Sequence, residues 1–176
     1  MTPAEMLTRI LDPACTLLHS LGGPPPSDPA RVFLLAVAQQ ESGADLTARY
    51  QGSPSPSPGP ARGWLQFEQG GAVHGVMTHA ASKGLARALC DSLTVAWNEP
   101  AVWRAIEGND MLAGGFGRLL LFTDPYAIPI HPTSAWAAYD ERLWRPGKPH
   151  PETWETNWNV AVQTVKAHPL TQATVA

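Results

Sequence analysis

A carboxylate at the end of an apolar segment is the feature of this sequence best suited to acid–base chemistry. Residues 32–38 are apolar nearly throughout, and Glu41 follows them in the stretch "AVAQQESGADLTARY". If this segment is a buried helix, desolvation and the partial negative charge at the helix C-terminus both raise the pKa of Glu41. A carboxylic acid that stays protonated near neutral pH suits general acid catalysis on a glycosidic oxygen. The alternative is an ordinary surface glutamate in contact with water or Arg49.

A second carboxylate for this chemistry is not obvious in the sequence. Glycosidases of the common two-carboxylate type need another Asp or Glu on the far side of the sugar ring. Asp45 lies one helical turn beyond Glu41, where we expect the helix to have ended, and Glu68 lies two residues beyond Gln66. We take Glu68 as the candidate second carboxylate without assigning it as a base. The sequence therefore presents one well-placed acid.

Four short motifs occur in a recognisable order over about 100 residues. They are Glu41-Ser42-Gly43, Gly63-Trp64-Leu65-Gln66-Phe67, the glycine-containing segment from Asn109 to Leu121, and Ala135-Trp136-Ala137-Ala138-Tyr139-Asp140. In this order they resemble the "ES", "GLMQ", "N-I-x-x-G-x-x-x-L" and "A-x-A-Y-N" motifs of soluble lytic transglycosylases and goose-type lysozymes. The resemblance covers roughly residues 30–145, and the following "LWRPGKPHPETW" is similar to the C-terminal segment of phage lytic enzymes.

The resemblance implies a role for the main motif residues. Glu41 would be the catalytic acid and base, and Tyr139 would donate a hydrogen bond that holds it in position. Ser42, Gln66 and Phe67, together with Tyr139, would bind the substrate. The competing interpretations are a helix-capping serine, a solvated turn amide and core positions for the two aromatic side chains.

The sequence also departs from the family pattern at several positions. Trp64 replaces a smaller residue, Asp140 stands where Asn is usual, and "Y-N-A-G-P" has become "YDERLWRPG". These changes concern the surroundings of Tyr139 more than the identity of the acid. Because of these changes, a non-catalytic role of the protein stays an alternative hypothesis.

The elements that must carry these residues are predicted to be helices joined by Pro- and Gly-rich loops. Asp28 and Pro29 begin the helix that ends near Ser42, with Gly43 as its stop, and its apolar character all round is typical of a central, buried helix. Further helices are predicted at residues 3–20, 72–82, 84–97, 99–107, 110–122, 134–144 and 154–167, with a short strand or turn in "ARGWLQFEQGG". The fold class is mainly α, with one domain over residues 1–176. The resemblance implies a lysozyme-like, two-lobed fold with a cleft.

Composition limits the partners of the chain. Hydrophobic residues make up 44% and charged residues 15% of the 176 residues, which favours a folded core over disorder. The formal net charge of -3 gives no long-range attraction for nucleic acid, and no stretch reaches the roughly 18 apolar residues that span a bilayer. His74 and His79 lack an obvious third ligand, so neither a metal nor another cofactor is expected. Cys15 and Cys90 are interpreted as buried free thiols, with a disulfide left open.

The expected function is cleavage of peptidoglycan glycan strands at the β-1,4 bond between N-acetylmuramic acid and N-acetylglucosamine. We favour lytic transglycosylase chemistry, which needs a single carboxyl group, over a hydrolytic muramidase of the same fold. Two rival hypotheses are a non-catalytic cell-wall-binding or virion structural module and a small helical interaction protein. We expect a monomer made in the bacterial cytoplasm, since the N-terminus lacks a secretory signal pattern. It would reach the wall by holin-type release or as part of a virion.

Overall fold

The computed structural model describes residues 1–42 and 59–170, which are mainly helical as the sequence predicts. In chain order the helices are α1 at 3–20, α2 at Asp28–Ser42, α3 at 69–78, α4 at Lys83–Ser92, α5 at Glu99–Gly108, α6 at Asp110–Phe122, α7 at 132–143 and α8 at Pro151–Ala167. Within them, Leu7–Leu11 of α1, Gln69–Val73 of α3 and Ala138–Leu143 of α7 are π-helical. The strands β1 (Ala61–Arg62) and β2 (Phe67–Glu68) pair antiparallel. None of the helices in this described part of the chain is long and apolar enough to cross a membrane.

Most of the predicted helices are present, but some of their ends differ. The helix α6 has the predicted bounds, whereas α4 ends at Ser92, earlier than predicted. Thr94 has a φ of 57°, which lies in the left-handed region and takes the chain out of the helix. The helix α3 also ends early, because the backbone is extended at His79, with φ -63° and ψ 134°. The predicted helix stop at Gly43 lies outside the described residues.

The helix α2 lies in the core and carries Glu41 and Ser42 on its last turn. The side chains of residues 33–39 are all buried, and the most extensive packing of α2 is against α8. This confirms the predicted buried helix. Its burial brings the acid at its C-terminal end close to apolar surroundings.

The first turn of α2 is held by a buried arginine. The Arg31 guanidinium donates to both carboxylate oxygens of Asp12 and to one oxygen of Asp28, each at 2.8 Å. Asp28, which the sequence predicts as the helix cap, thus contacts the Arg31 side chain. Because Asp12 belongs to α1, these charge-assisted bonds join α1 to α2.

The helix α6 is buried over most of its length, which the sequence analysis does not single out. Residues 112–121 are all buried. Glycine allows close packing here, because a Cβ atom at Gly117 would collide with the Leu65 side chain and would lie 3.4 Å from Leu34 of α2. The helix α6 therefore brings the turn between β1 and β2 close to α2.

The hairpin of β1 and β2 is tied to α5 by one arginine. Arg62 Nε lies 2.9 Å from Glu107 Oε2, and the guanidinium lies 4.2 Å from the centre of the Trp103 ring. The turn itself contains Gly63 with φ 71° and Gln66 with φ 51°. The sequence prediction of a short strand or turn is confirmed in this segment.

The two cysteines do not form a disulfide. Cys15 and Cys90 are both buried free thiols. Burial raises the pKa of each thiol to about 11, so both are protonated at neutral pH. They belong to the apolar core.

Replacing Gly63 with alanine is expected to lower the free energy of unfolding by about 2–4 kcal/mol. The residue has φ 71°, and an added Cβ atom would lie 2.8 Å from the carbonyl oxygen of Ile106. Urea unfolding followed by tryptophan fluorescence measures the change. Gly75→Ala is the matched control, because its added Cβ would meet no atom within 4 Å. Equal stability of the two variants would contradict this explanation.

Candidate active site

Glu41 is half-buried at the end of α2, and a hydrogen bond holds its carboxyl group. The Tyr139 hydroxyl, on α7, donates to Glu41 Oε1 at 2.8 Å. This is the contact that the family resemblance implies. Because Oε1 accepts this bond, Oε2 is the oxygen that can carry a proton toward a ligand.

Burial raises the pKa of Glu41 to about 7. Desolvation is the largest cause, and the negative charge of Glu68 adds to it. The hydrogen bond from Tyr139 acts in the opposite direction, because it stabilises the carboxylate. The upward direction predicted from the sequence is confirmed, whereas the contribution of Glu68 was not foreseen. A carboxyl group with this pKa can both donate and accept a proton near neutral pH.

A group of aromatic rings positions Tyr139. The Tyr139 ring stacks on Trp154 with ring centres 5.2 Å apart and an angle of 11° between the planes. Trp136 and Trp144 flank it at 5.4 Å and 6.4 Å. Burial of the phenol and the nearby Glu41 raise the pKa of Tyr139, so its hydroxyl remains a donor. The π-helical segment of α7 contains this tyrosine, and such segments often occur at functional sites.

Two further predicted site residues hold the hairpin turn. The Ser42 hydroxyl donates to the carbonyl oxygen of Trp64 at 2.6 Å. The Gln66 amide nitrogen donates to the carbonyl oxygen of Gly63 at 2.8 Å. Both side chains thus make structural hydrogen bonds close to Glu41. Their contacts with substrate stay predictions.

A cavity of about 530 Å³ lies beside Glu41, within the usual size range of ligand pockets. Its walls come from α2, the hairpin, α3 and the loop after α7. Of the residues predicted from the sequence, the cavity is lined by Glu41, Gln66 and Glu68, and by Phe67, whose side chain is fully buried in the core as the alternative interpretation has it. Ser42 and Tyr139 are not among its lining residues and contact the site from the protein side. Glu41 and the exposed Glu68 therefore face one space.

Trp144 and two cations, Arg145 and Lys148, also line this cavity, and the two cations are not predicted as site residues from the sequence. Trp144 donates its indole N–H to the carbonyl oxygen of Leu65 at 3.0 Å and stacks on Phe67, with ring centres 5.8 Å apart. Arg145 and Lys148 line the same cavity from the loop that follows α7. The sequence feature that points to these cations is their position in a Pro- and Gly-containing loop directly after the helix of Tyr139.

A larger cavity, of about 690 Å³, lies at another place on the molecule. Asp12, Arg31 and His168 are among the residues that line it. The Arg31 guanidinium is already bound to Asp12 and Asp28 and to the carbonyl oxygen of His168. We place the candidate active site at the smaller cavity, because that cavity contains the acid with the raised pKa.

The two histidines considered as metal ligands contact different partners. His74 Nδ1 lies 2.7 Å from Glu99 Oε1, whereas His79 Nδ1 accepts the backbone N–H of Ala81 at 3.2 Å. In residues 1–42 and 59–170, no group of three or more His, Cys, Asp or Glu side chains could hold a metal ion.

Comparison with known proteins does not add a family to this geometry. No protein-family model, curated protein or solved structure matches the chain. The functional interpretation therefore depends on the residues and geometry of the site itself.

The stability of the protein is expected to fall between about pH 4.5 and pH 7 through Glu41. The folded-state pKa of about 7 exceeds the reference value of 4.5, so folding favours the protonated form and this stabilisation is lost as the pH rises through 7. Glu41→Gln should remove this component and should be more stable than the wild type above pH 7, by about 2–3 kcal/mol. Urea unfolding at several pH values measures it. Glu141→Gln is the control on an exposed glutamate of α7, and a Glu41→Gln curve parallel to the wild type would refute the expectation.

Tyr139→Phe is expected to raise the pKa of Glu41 further. The substitution removes the hydrogen bond that stabilises the carboxylate and keeps the aromatic ring. A carbon-13 NMR titration of the glutamate side chains, assigned with Glu41→Gln, measures the shift. Tyr126→Phe makes the same chemical change at an exposed position and is the matched control. An unchanged or lower pKa in Tyr139→Phe would show that the hydrogen bond does not act on the acid.

Proposed function

We propose that this protein cleaves the β-1,4 bond between N-acetylmuramic acid and N-acetylglucosamine in peptidoglycan, as a lytic transglycosylase. The observation that carries the proposal is Glu41, with a pKa of about 7, bound to Tyr139 and facing a cavity of about 530 Å³. The motif order along the sequence supports the same activity. The half-buried Trp144, which stacks on the buried Phe67, lines the cavity with an aromatic ring suited to contact with a sugar.

In the first step Glu41 acts as the general acid. Its Oε2 proton passes to the glycosidic oxygen, the bond to muramyl C1 breaks, and positive charge develops on that sugar. Tyr139 holds Oε1, so the proton donor keeps its orientation, and the carboxylate formed in this step is stabilised by the same hydrogen bond. N-acetylglucosamine leaves with the transferred proton.

In the second step the Glu41 carboxylate acts as the base. It takes the proton of the muramyl C6 hydroxyl, and that oxygen bonds to C1 and closes a 1,6-anhydro ring. Water is not consumed, and Glu41 returns to its protonated form. A pKa of about 7 suits both halves of this cycle at neutral pH.

The proposal includes a lysozyme-like fold with the cavity as part of a cleft between two lobes. The support is that four separate parts of the chain contribute to its lining: the end of the buried α2, the hairpin, α3 and the loop after α7.

A hydrolytic muramidase is the second candidate, because Glu68 faces the same cavity as Glu41. In that reaction a second carboxylate would activate water or act as the nucleophile. Glu68 is exposed and therefore accessible to water. The products distinguish the two reactions.

Glu41→Gln is expected to reduce glycan cleavage by about 10²–10⁴-fold, since the amide cannot donate the proton. Purified peptidoglycan is digested with the wild type and the variant, and the muropeptides are weighed by mass spectrometry. Wild-type products should be lighter by one water than hydrolysis products. Glu141→Gln, on the surface of α7, is the control and should keep its activity.

The remaining outcomes distinguish the rival functions. Hydrated reducing ends would make the protein a muramidase and direct attention to Glu68→Gln. No products from the wild type would overturn the enzymatic proposal. Binding to peptidoglycan without turnover would then support a non-catalytic cell-wall-binding module.

A further inference from the structure

Two cations face the Glu41 cavity from the loop that follows α7. Arg145 and Lys148 both line the cavity, and both are exposed. Among residues 1–42 and 59–170, neither forms an ion pair with a carboxylate. No carboxylate of the described residues therefore neutralises these two cations, and their charge is available to a ligand.

A neighbouring cation shows the contrast. Arg142 lines a smaller adjoining cavity of about 170 Å³, which Arg145 also lines. The Arg142 guanidinium donates to both oxygens of Asp124, at 2.9 Å and 3.2 Å, and lies 4.9 Å from the centre of the Tyr126 ring. Its charge is thus compensated by a protein carboxylate. Arg145, at the junction of the two cavities, has no such partner in the described residues.

The backbone of Arg145 is held in a defined position. Its N–H donates to the carbonyl oxygen of Tyr139 at 3.0 Å, and its φ of 49° lies in the left-handed region. The preceding Trp144 is tied to the hairpin through Leu65. The backbone that presents the guanidinium is therefore ordered before a ligand binds, which reduces the entropy lost on binding.

The two cations do not serve the acid directly. Among the described residues, Glu68 is the charged group that contributes to the pKa shift of Glu41, and its effect is upward. Cations next to a general acid would lower its pKa, which is the opposite of the observed direction. A role in binding an anionic part of the substrate accounts for their place on the cavity wall.

We propose that Arg145 and Lys148 bind a carboxylate of the peptide stem that N-acetylmuramic acid carries, so that the protein prefers stem-bearing glycan strands. This inference rests on the proposed function. The sugar backbone of such a strand is neutral, because the lactyl group is linked to the stem as an amide. The carboxylates of the stem are the anionic groups near the scissile bond, and a guanidinium binds a carboxylate through two parallel N–H bonds.

The test compares intact glycan strands with stem-free strands. The stem-free strands are prepared with an amidase, and the lactyl carboxylates that the amidase exposes are then converted to methylamides so that these strands are neutral. The variants are Arg145→Gln, Lys148→Gln and the double variant, which remove the charge and keep a polar side chain. The double variant Arg104→Gln/Lys166→Gln makes the same charge change at exposed positions outside the cavity and is the matched control. Initial rates over a range of strand concentrations give kcat and KM for each substrate.

The wild type should prefer stem-bearing strands, and the preference should weaken with added salt. The Arg145→Gln/Lys148→Gln variant should lose about five- to tenfold in kcat/KM on stem-bearing strands, mainly through KM. Its rate on stem-free strands should match that of the wild type. Equal losses on both substrates, or an unchanged preference, would overturn the inference.

Binding of soluble muropeptides separates failure of the inference from failure of the proposed function. Cleavage of both strand types at equal rates would refute the stem recognition alone. If no strand is cleaved but muropeptides bind to the wild type and not to Arg145→Gln/Lys148→Gln, the proposed enzymatic activity is refuted and the recognition site is supported. Absence of both cleavage and binding would refute both.

Discussion

The hydrogen bond from the Tyr139 hydroxyl to Glu41 is the contact on which the candidate site depends. It joins residues 98 positions apart in sequence, at the end of α2 and within α7. A half-buried carboxyl group without a partner would be costly, because desolvation disfavours its charged form. The bond requires Tyr139 to be held firmly, and the stack on Trp154 of α8 provides that support. Since α2 packs most extensively against α8, one helix carries the packing for both partners of the bond.

The pKa of Glu41 is the result of opposing effects of different size. Desolvation exceeds the stabilisation from Tyr139, and the charge of Glu68 moves the value in the same direction as desolvation, to about 7. The close approach of the hairpin to α5, and of α6 to the hairpin and α2, maintains this environment. It depends on Gly63 in the turn and on Gly117 in α6, where larger side chains would meet Ile106 and Leu65. Backbone packing remote from the carboxyl group thus contributes to the burial that raises the pKa of Glu41.

The cavity beside Glu41 has an uneven charge distribution that matches the proposed substrate. Glu41 and Glu68 supply the acidic groups, whereas Arg145 and Lys148 lie on the loop after α7. A neutral sugar chain with anionic peptide stems requires both kinds of wall: an acid at the glycosidic oxygen and cations at the stem. Trp144, stacked on the buried Phe67, adds an aromatic group to the same lining. Catalysis and stem recognition would then use neighbouring parts of one cavity.

The sequence by itself determined the mainly helical class and the buried helix that ends with Glu41, because apolar periodicity is a local property. The upward direction of the Glu41 pKa follows from that burial, since desolvation is its largest cause. It also indicated a turn at Gly63 to Phe67. Only the tertiary structure decided which groups share the cavity. Three features depend on packing between distant segments: the early end of α4 at Ser92, the use of Ser42 and Gln66 in hairpin contacts, and the approach of Arg145 and Lys148. A pattern of residue types records which faces are apolar, but it does not record the distances between elements that close around a site.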